Sequence, residues 1–160
     1  MIMSDSDVIE ALQQRVFRLE AERDIQRLMV KYSTALDYGD NGAWADCFTP
    51  DGLFDVRRRG EPLFEHTGTA ALTAFASTHT SSPAVYHKHF LSIPNISFDG
   101  DTAQATTYFT MLHEGLNGTQ KGPVVLVFGR YLDEVVYTDG KWLFSKRVVD
   151  MEALPSGGSD

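Results

Sequence analysis

The apolar positions of this chain change period partway along it. From Asp5 to Asp37 they recur at helical spacing: Leu12, Val16 and Leu19 form one stripe, and Ile25, Leu28, Met29, Tyr32 and Leu36 form another. The charged run Glu20–Asp24 between them predicts a bend or a break separating two helices. Gly39-Asp40-Asn41-Gly42 ends the second helix, and "AWADCF" predicts one or two further turns. "PDGLFDV" reads as a turn and a short strand, and "TGTAALTAFAST" as an alanine-rich helix with a threonine N-cap.

Beyond His79 the period drops to two. "HFLSIPNISFDGDTAQATTYFTMLH" predicts two strands joined through Asp99-Gly100-Asp101, and "GPVVLVFGRYLDEVVYTDGKWLFSKRVVD" two more joined through Asp139-Gly140. Helices first and long antiparallel strands afterwards imply an α+β fold, with N-terminal helices packed on a mainly antiparallel sheet. A strongly curved sheet wrapped on helices leaves a concave pocket, and Gly129 inside a strand suits that bending. With no repeat or linker, residues 1–152 are expected to form one domain. Within it, 1–20 would be a helical extension, and 153–160 a flexible tail.

Composition narrows the function. Fourteen basic against twenty-two acidic residues leave a net charge of −8, which argues against a nucleic-acid partner. The one basic cluster, Arg57-Arg58-Arg59, falls where a turn is expected and reads as a solvated edge. Cys47 is the lone cysteine, so neither a disulfide framework nor a thiolate metal site is expected. The N-terminus lacks a secretory h-region, and "VVLVF" is too short to span a bilayer, so no membrane partner and a cytoplasmic location are expected. The sequons at Asn95 and Asn117 then carry no meaning.

His87 and His89 flank Lys88 and share a face if the segment is extended. His-x-His on a strand is a metal-ligand spacing, but "FLSIPN" offers no carboxylate, and only His113 or Glu114 on a neighbouring strand could complete a set. No metal is therefore expected. Arg147 alternates with Lys146, so one faces inward; strict alternation groups Leu143, Ser145, Arg147 and Val149 against Trp142, Phe144, Lys146 and Val148. A surface arginine paired with a carboxylate on the neighbouring strand is the bland reading of Arg147. Most of the aromatics, Trp44, Phe54, Phe109 and Phe128 among them, belong on core positions, and a few would line an apolar pocket.

Three segments, "AERDIQRLMVKYSTALDYGDNGAWADCFTPDGLFDV", "HFLSIPNISFDGDTAQATTYF" and "YLDEVVYTDGKWLFSKRVV", resemble the SnoaL-like branch of the nuclear-transport-factor-like superfamily, in order over roughly residues 20–150. The resemblance implies an α+β cone with a deep, mostly apolar cavity. In its dehydratase- and dehydrochlorinase-type lyases a helix-end aspartate and a strand-opening histidine form a catalytic dyad, and the matching positions are Asp37 and His89. Tyr32, five residues before the aspartate, and Arg147, after the Trp-x-Phe, match further functional positions. A second tyrosine that some dehydratases carry has no match here. Other branches are cyclases, isomerases or non-catalytic subunits, so the fold alone does not make an enzyme.

The leading expectation is a cofactor-independent, dehydratase-type lyase acting on a hydrophobic cyclic substrate. His89 would be its base and Asp37 the orienting group, with Tyr32 or Arg147 at the oxygen. His87, Phe54, Trp44, Phe109 and Phe128 would line the pocket. The alternatives are an isomerase or polyketide cyclase using the same pocket, or a non-catalytic ligand-binding or assembly subunit. Either way the exposed sheet face calls for a homodimer or homotrimer.

Overall fold

Ser4 starts the first helix with a capping box: its hydroxyl accepts from the Asp7 N–H at 3.3 Å, and the Asp7 carboxylate accepts the Ser4 N–H at 3.0 Å. Helix α1 then runs unbroken over Asp5–Tyr38. No break occurs at Glu20–Asp24, because these residues are good helix formers and carry their charges outward, while Ala21 and Ile25 keep the inner face apolar. Gly39 ends the helix at φ +75°, a left-handed conformation that glycine adopts without strain. The structure, a computed structural model, describes residues 4–115 and 122–153. Asn117 and the expected tail beyond Ala153 lie outside the described residues.

Three elements follow α1 before the long strands. Helix α2 (Asn41–Ala45) is capped by Asp40, whose carboxylate accepts the Ala43 N–H at 3.0 Å. Strand β1 (Phe48–Arg58) turns at Arg59-Gly60 into β2 (Glu61–Thr67). β1 is longer than its sequence suggests, because the register shift between Phe48 and Leu53 absorbs the Pro50-Asp51-Gly52 segment that reads as a turn. β2 has no sequence expectation at all. It is an exposed edge strand holding Pro62 beside a register shift, where a missing N–H costs no ladder bond. Helix α3 (Thr69–Thr78) is N-capped by Gly68 without a side-chain hydrogen bond, not by a threonine.

The later strands are β3 (His87–Leu91), β4 (Asn95–Asp99), β5 (Thr102–His113), β6 (Val124–Thr138) and β7 (Lys141–Ala153). The expected strand over 89–98 is divided in two around Ser92-Ile93-Pro94, and both halves pair antiparallel with β5. The seven-stranded sheet has the order β2-β1-β7-β6-β5-β3, with β4 also on β5. It is mixed and mainly antiparallel, β1 and β7 being the parallel pair, and it is curved without closing. The hairpin expectations hold: Asp139-Gly140 joins β6 to β7 with both residues at positive φ, as a twist-matched two-residue turn requires.

The core lies between α1 and the concave face. Ile25, Leu28, Met29, Tyr32 and Leu36 of α1 meet Ala103, Ala105 and Phe109 of β5, Tyr131 and Val135 of β6, and Phe144 of β7. Among the described residues no helix is long and apolar enough to cross a membrane.

Candidate active site

Asp37 occupies the last turn of α1, where the helix meets β3, and is buried. Its Oδ1 stands 2.6 Å from His89 Nδ1, and its Oδ2 accepts the His89 backbone N–H at 3.2 Å. The two bonds fix the carboxylate to both the ring and the backbone of one residue. With Asp37 ionised, the His89 Nδ1–H donates to it, and Nε2 is the ring nitrogen left for another partner. This orienting role for a carboxylate is that of the aspartate in serine-hydrolase triads.

His87 joins the pair. The alternation of β3 puts it on the face of His89, with Nε2 3.2 Å from Asp37 Oδ1. The same Nε2 lies 3.3 Å from Nε2 of His79, the residue that caps α3. Four side chains thus form one array, His79–His87–Asp37–His89. His79 went unnoticed in the sequence except as the point where the period changes; a histidine at a helix end gives no local sign of a partner eight residues on.

Protonation follows from this geometry. Burial works to raise the Asp37 carboxyl, but hydrogen bonds from His87 and His89, the charge of His89 and its backbone N–H outweigh it and hold the group well below the usual carboxylate range. His79 is pushed down to about 4, first by burial and then by His87 and His89, so it is neutral near pH 7. One proton on His87 Nε2 can then point at both Asp37 Oδ1 and the lone pair of His79.

Asp37, His87 and His89 could also each offer a metal one atom, all within 4.8 Å of one another. Two ligands of a zinc-sized ion at about 2.0–2.1 Å stand roughly 3 Å or more apart. The 2.6 Å contact between Asp37 and His89 is instead a short hydrogen bond. The separations suit a shared proton better than a cation. His113, opposite His87 in the β3–β5 register, is not part of the cluster.

A second cluster fills the concave interior. Arg147 is fully buried and doubly bonded to Asp133 on β6, Nε to Oδ1 and Nη2 to Oδ2, each at 2.7 Å. Its guanidinium lies 4.2 Å over the Tyr32 ring, 4.2 Å over Tyr131 and 3.9 Å over Phe144. Burial disfavours its charge, but the Asp133 carboxylate overcomes this and holds Arg147 cationic. The expected carboxylate on the next strand is therefore present, at the core and not at the surface.

Strict alternation along β7 fails here. Val135 pairs with Phe144 and Glu134 with Lys146, so Ser145 is an extra residue, held by its hydroxyl donating to the Glu134 carbonyl at 3.1 Å. That bulge brings Phe144 and Arg147 onto the same inner face. Tyr32 packs against Trp44, Phe48, Tyr131 and Phe144, and burial first of all pushes its hydroxyl up to about 12. Arg147 Nη1 and Trp44 Nε1 are buried donors without a hydrogen-bond partner among the described residues.

The residues singled out in the sequence therefore fall into three places. Asp37, His87 and His89 are together. Tyr32, Trp44, Phe54, Phe109 and Arg147 lie in the aromatic interior, Phe109 stacked on Tyr131 at 4.4 Å. Phe128 is not with them: it is exposed on the far side of β6, in a groove with Tyr108, Arg130 and Glu152. The register shift between Phe128 and Gly129 accompanies that placement.

Known proteins give the family. A model of the SnoaL-like domain matches residues 18–148. A protein of unknown function from Mycobacterium tuberculosis superposes on 98% of this chain and 80% of its own with TM-score 0.71 at 26% identity. A Catenulispora acidiphila protein solved in complex with S-DNPA superposes on 81% of this chain and 91% of its own, with TM-score 0.66 at 25% identity. A Novosphingobium aromaticivorans protein titled "Putative Scytalone Dehydratase" shares the fold over 99% of this chain and 94% of its own, with TM-score 0.68 at 23% identity. No curated protein matches the chain. With a mixed, curved sheet around a long helix and a domain match over most of its length, the chain belongs to the SnoaL-like domain family and has the NTF2-like fold.

Proposed function

We propose that this protein is a cofactor-independent lyase of dehydratase type acting on a hydrophobic cyclic substrate. The observation that carries the reading is the 2.6 Å contact of Asp37 Oδ1 with His89 Nδ1, made where the end of α1 meets β3. His89 Nε2 takes the proton from a carbon next to a carbonyl. The electron pair of that C–H bond passes to the carbonyl as an enolate, whose collapse forms the new C=C bond as the C–O bond of the neighbouring hydroxyl breaks. The imidazolium, stabilised by Asp37, returns its proton to the departing oxygen, so the products are the unsaturated ring and water. Tyr32, which keeps its proton at neutral pH, and cationic Arg147, both buried in the packed interior, would serve as donors to the substrate oxygen once that interior opens to admit it. The small-molecule complex of the Catenulispora relative and the scytalone dehydratase name of the Novosphingobium one accord with this reading.

A second reading has an observation of its own. Tyr32, Trp44, Phe48, Tyr131 and Phe144 pack ring on ring across the interior, which favours a subunit whose core serves assembly and not turnover. One experiment separates the two. Cyclic β-hydroxy ketones are incubated with the protein in D2O, and NMR follows both α-proton exchange and enone formation. The lyase reading expects both, with His89→Gln and Asp37→Asn slowing them by about 10²–10⁴-fold. Exchange without enone indicates an isomerase or cyclase working from the same base. Wild-type rates no higher than those of His89→Gln favour the subunit.

A further inference from the structure

The first half of α1 carries an apolar ridge that no other element among the described residues covers. Ile9, Leu12, Val16 and Leu19 are between 52 and 65% exposed, and Val30 farther along is 60% exposed. At 100° per residue the four span about 80° of the helix circumference, and their centre lies roughly 170° from that of the residues packed on the sheet. Those packed residues are Ala21, Ile25, Leu28, Met29, Tyr32 and Leu36. The ridge is nonetheless held in place: Phe17 lies edge-on to Tyr137 at 6.0 Å, and Arg18 sits over Phe98 at 5.8 Å. It is an outward face of an anchored helix.

We propose that this ridge pairs, in parallel, with the same ridge on a second copy of the chain. The spacing 9, 12, 16, 19 is the alternation of three and four that defines the seam of a coiled coil. The residue types also select the partner. β-Branched Ile9 and Val16 take one seam position and Leu12 and Leu19 the other, the combination that favours two parallel strands. The flanking charges complement a second copy in that direction. A parallel pair sets Arg15 against Glu20 of the other copy, and Glu22 against its Arg27.

Among the described residues nothing competes strongly for these charges. Arg27 meets, among the described residues, only Asp24 of its own helix, at 3.5 Å and exposed, a pair of little worth that can be exchanged. Because the ridge points away from the sheet, a twofold axis along the helix leaves the two domains on opposite outer sides. Arg23 and Gln26 take the next seam positions and limit the apolar zip to two heptads plus Val30. So short a seam makes a reversible dimer, not a permanent one.

The test uses the full chain in sedimentation velocity over a concentration series. The wild type is expected to pass from monomer to dimer. Leu12→Lys with Leu19→Lys, both at exposed sites, is expected to stay monomeric with an unchanged circular dichroism spectrum. Arg15→Glu sets like charges across the seam and is expected to weaken the dimer by about tenfold; adding Glu20→Arg restores it. Leu12→Cys is expected to give a dimer linked through position 12 on mild oxidation, since parallel copies face each other there and native Cys47 is buried. A wild type monomeric throughout, a dimer indifferent to the two lysines, or no rescue by Glu20→Arg would each overturn the proposal.

Discussion

Two residues at the centre of the interior carry unusual risk. Arg147 and Asp133 are a fully buried ion pair whose two 2.7 Å bonds compensate for the loss of water. Removing one partner leaves the other charge stranded beneath three aromatic rings. Asp133→Ala is therefore expected to destabilise the fold by about 3–5 kcal/mol in urea unfolding. The joint change Arg147→Met with Asp133→Leu is expected to recover most of that loss, because packed apolar side chains remove both charges at once. A double variant no more stable than Asp133→Ala would show that the pair acts through shape and not through charge.

Among the elements, β6 and β7 shape the interior. Gly129 has no room for a side chain: a Cβ there would lie 2.0 Å from the Asp150 carbonyl oxygen on β7. Backbone cannot yield as a side-chain tip can, so Gly129→Ala is expected to lower stability by about 1–3 kcal/mol. A thermal scan checks this, and an unchanged midpoint would mean the strands separate there at little cost. Five residues before Asp150 on β7, the Ser145 bulge does the opposite service, adding a residue so that Phe144 and Arg147 face inward together. Neither feature can be read from alternation, which assumes an unbroken ladder.

For the molecule as a whole, the buried array makes stability depend on pH. His79 has a folded value of about 4, below its ordinary one near 6.5, so the unfolded chain takes up the proton first. Its contribution is complete above about pH 6.5 and is lost as pH falls towards 4. Asp37 is also held below its ordinary value, so its contribution is present above about pH 4 and is lost on further acidification. The expected melting curve against pH is flat above about 6.5, declines from there to 4, and steepens below. His79→Gln should flatten the upper part of the decline and leave the lower part. A decline unaltered by that change would assign it to other groups.

Much of this was legible in the sequence because it depends on local pattern. The helical period of α1, the Gly39 stop, the turns at Gly100 and Gly140 and the α+β order all follow from backbone preferences that act over a few residues. The match of Asp37 and His89 to a lyase dyad came from resemblance, and their contact is seen only once α1 and β3 are side by side. The sequence did not disclose β2, whose exposed edge needs no alternation, nor the extra residue at Ser145, nor the place of His79. Register, bulges and contacts between distant segments are settled by which packing buries the most apolar surface while pairing every buried charge. That competition involves the whole chain at once, so the tertiary structure alone decides it.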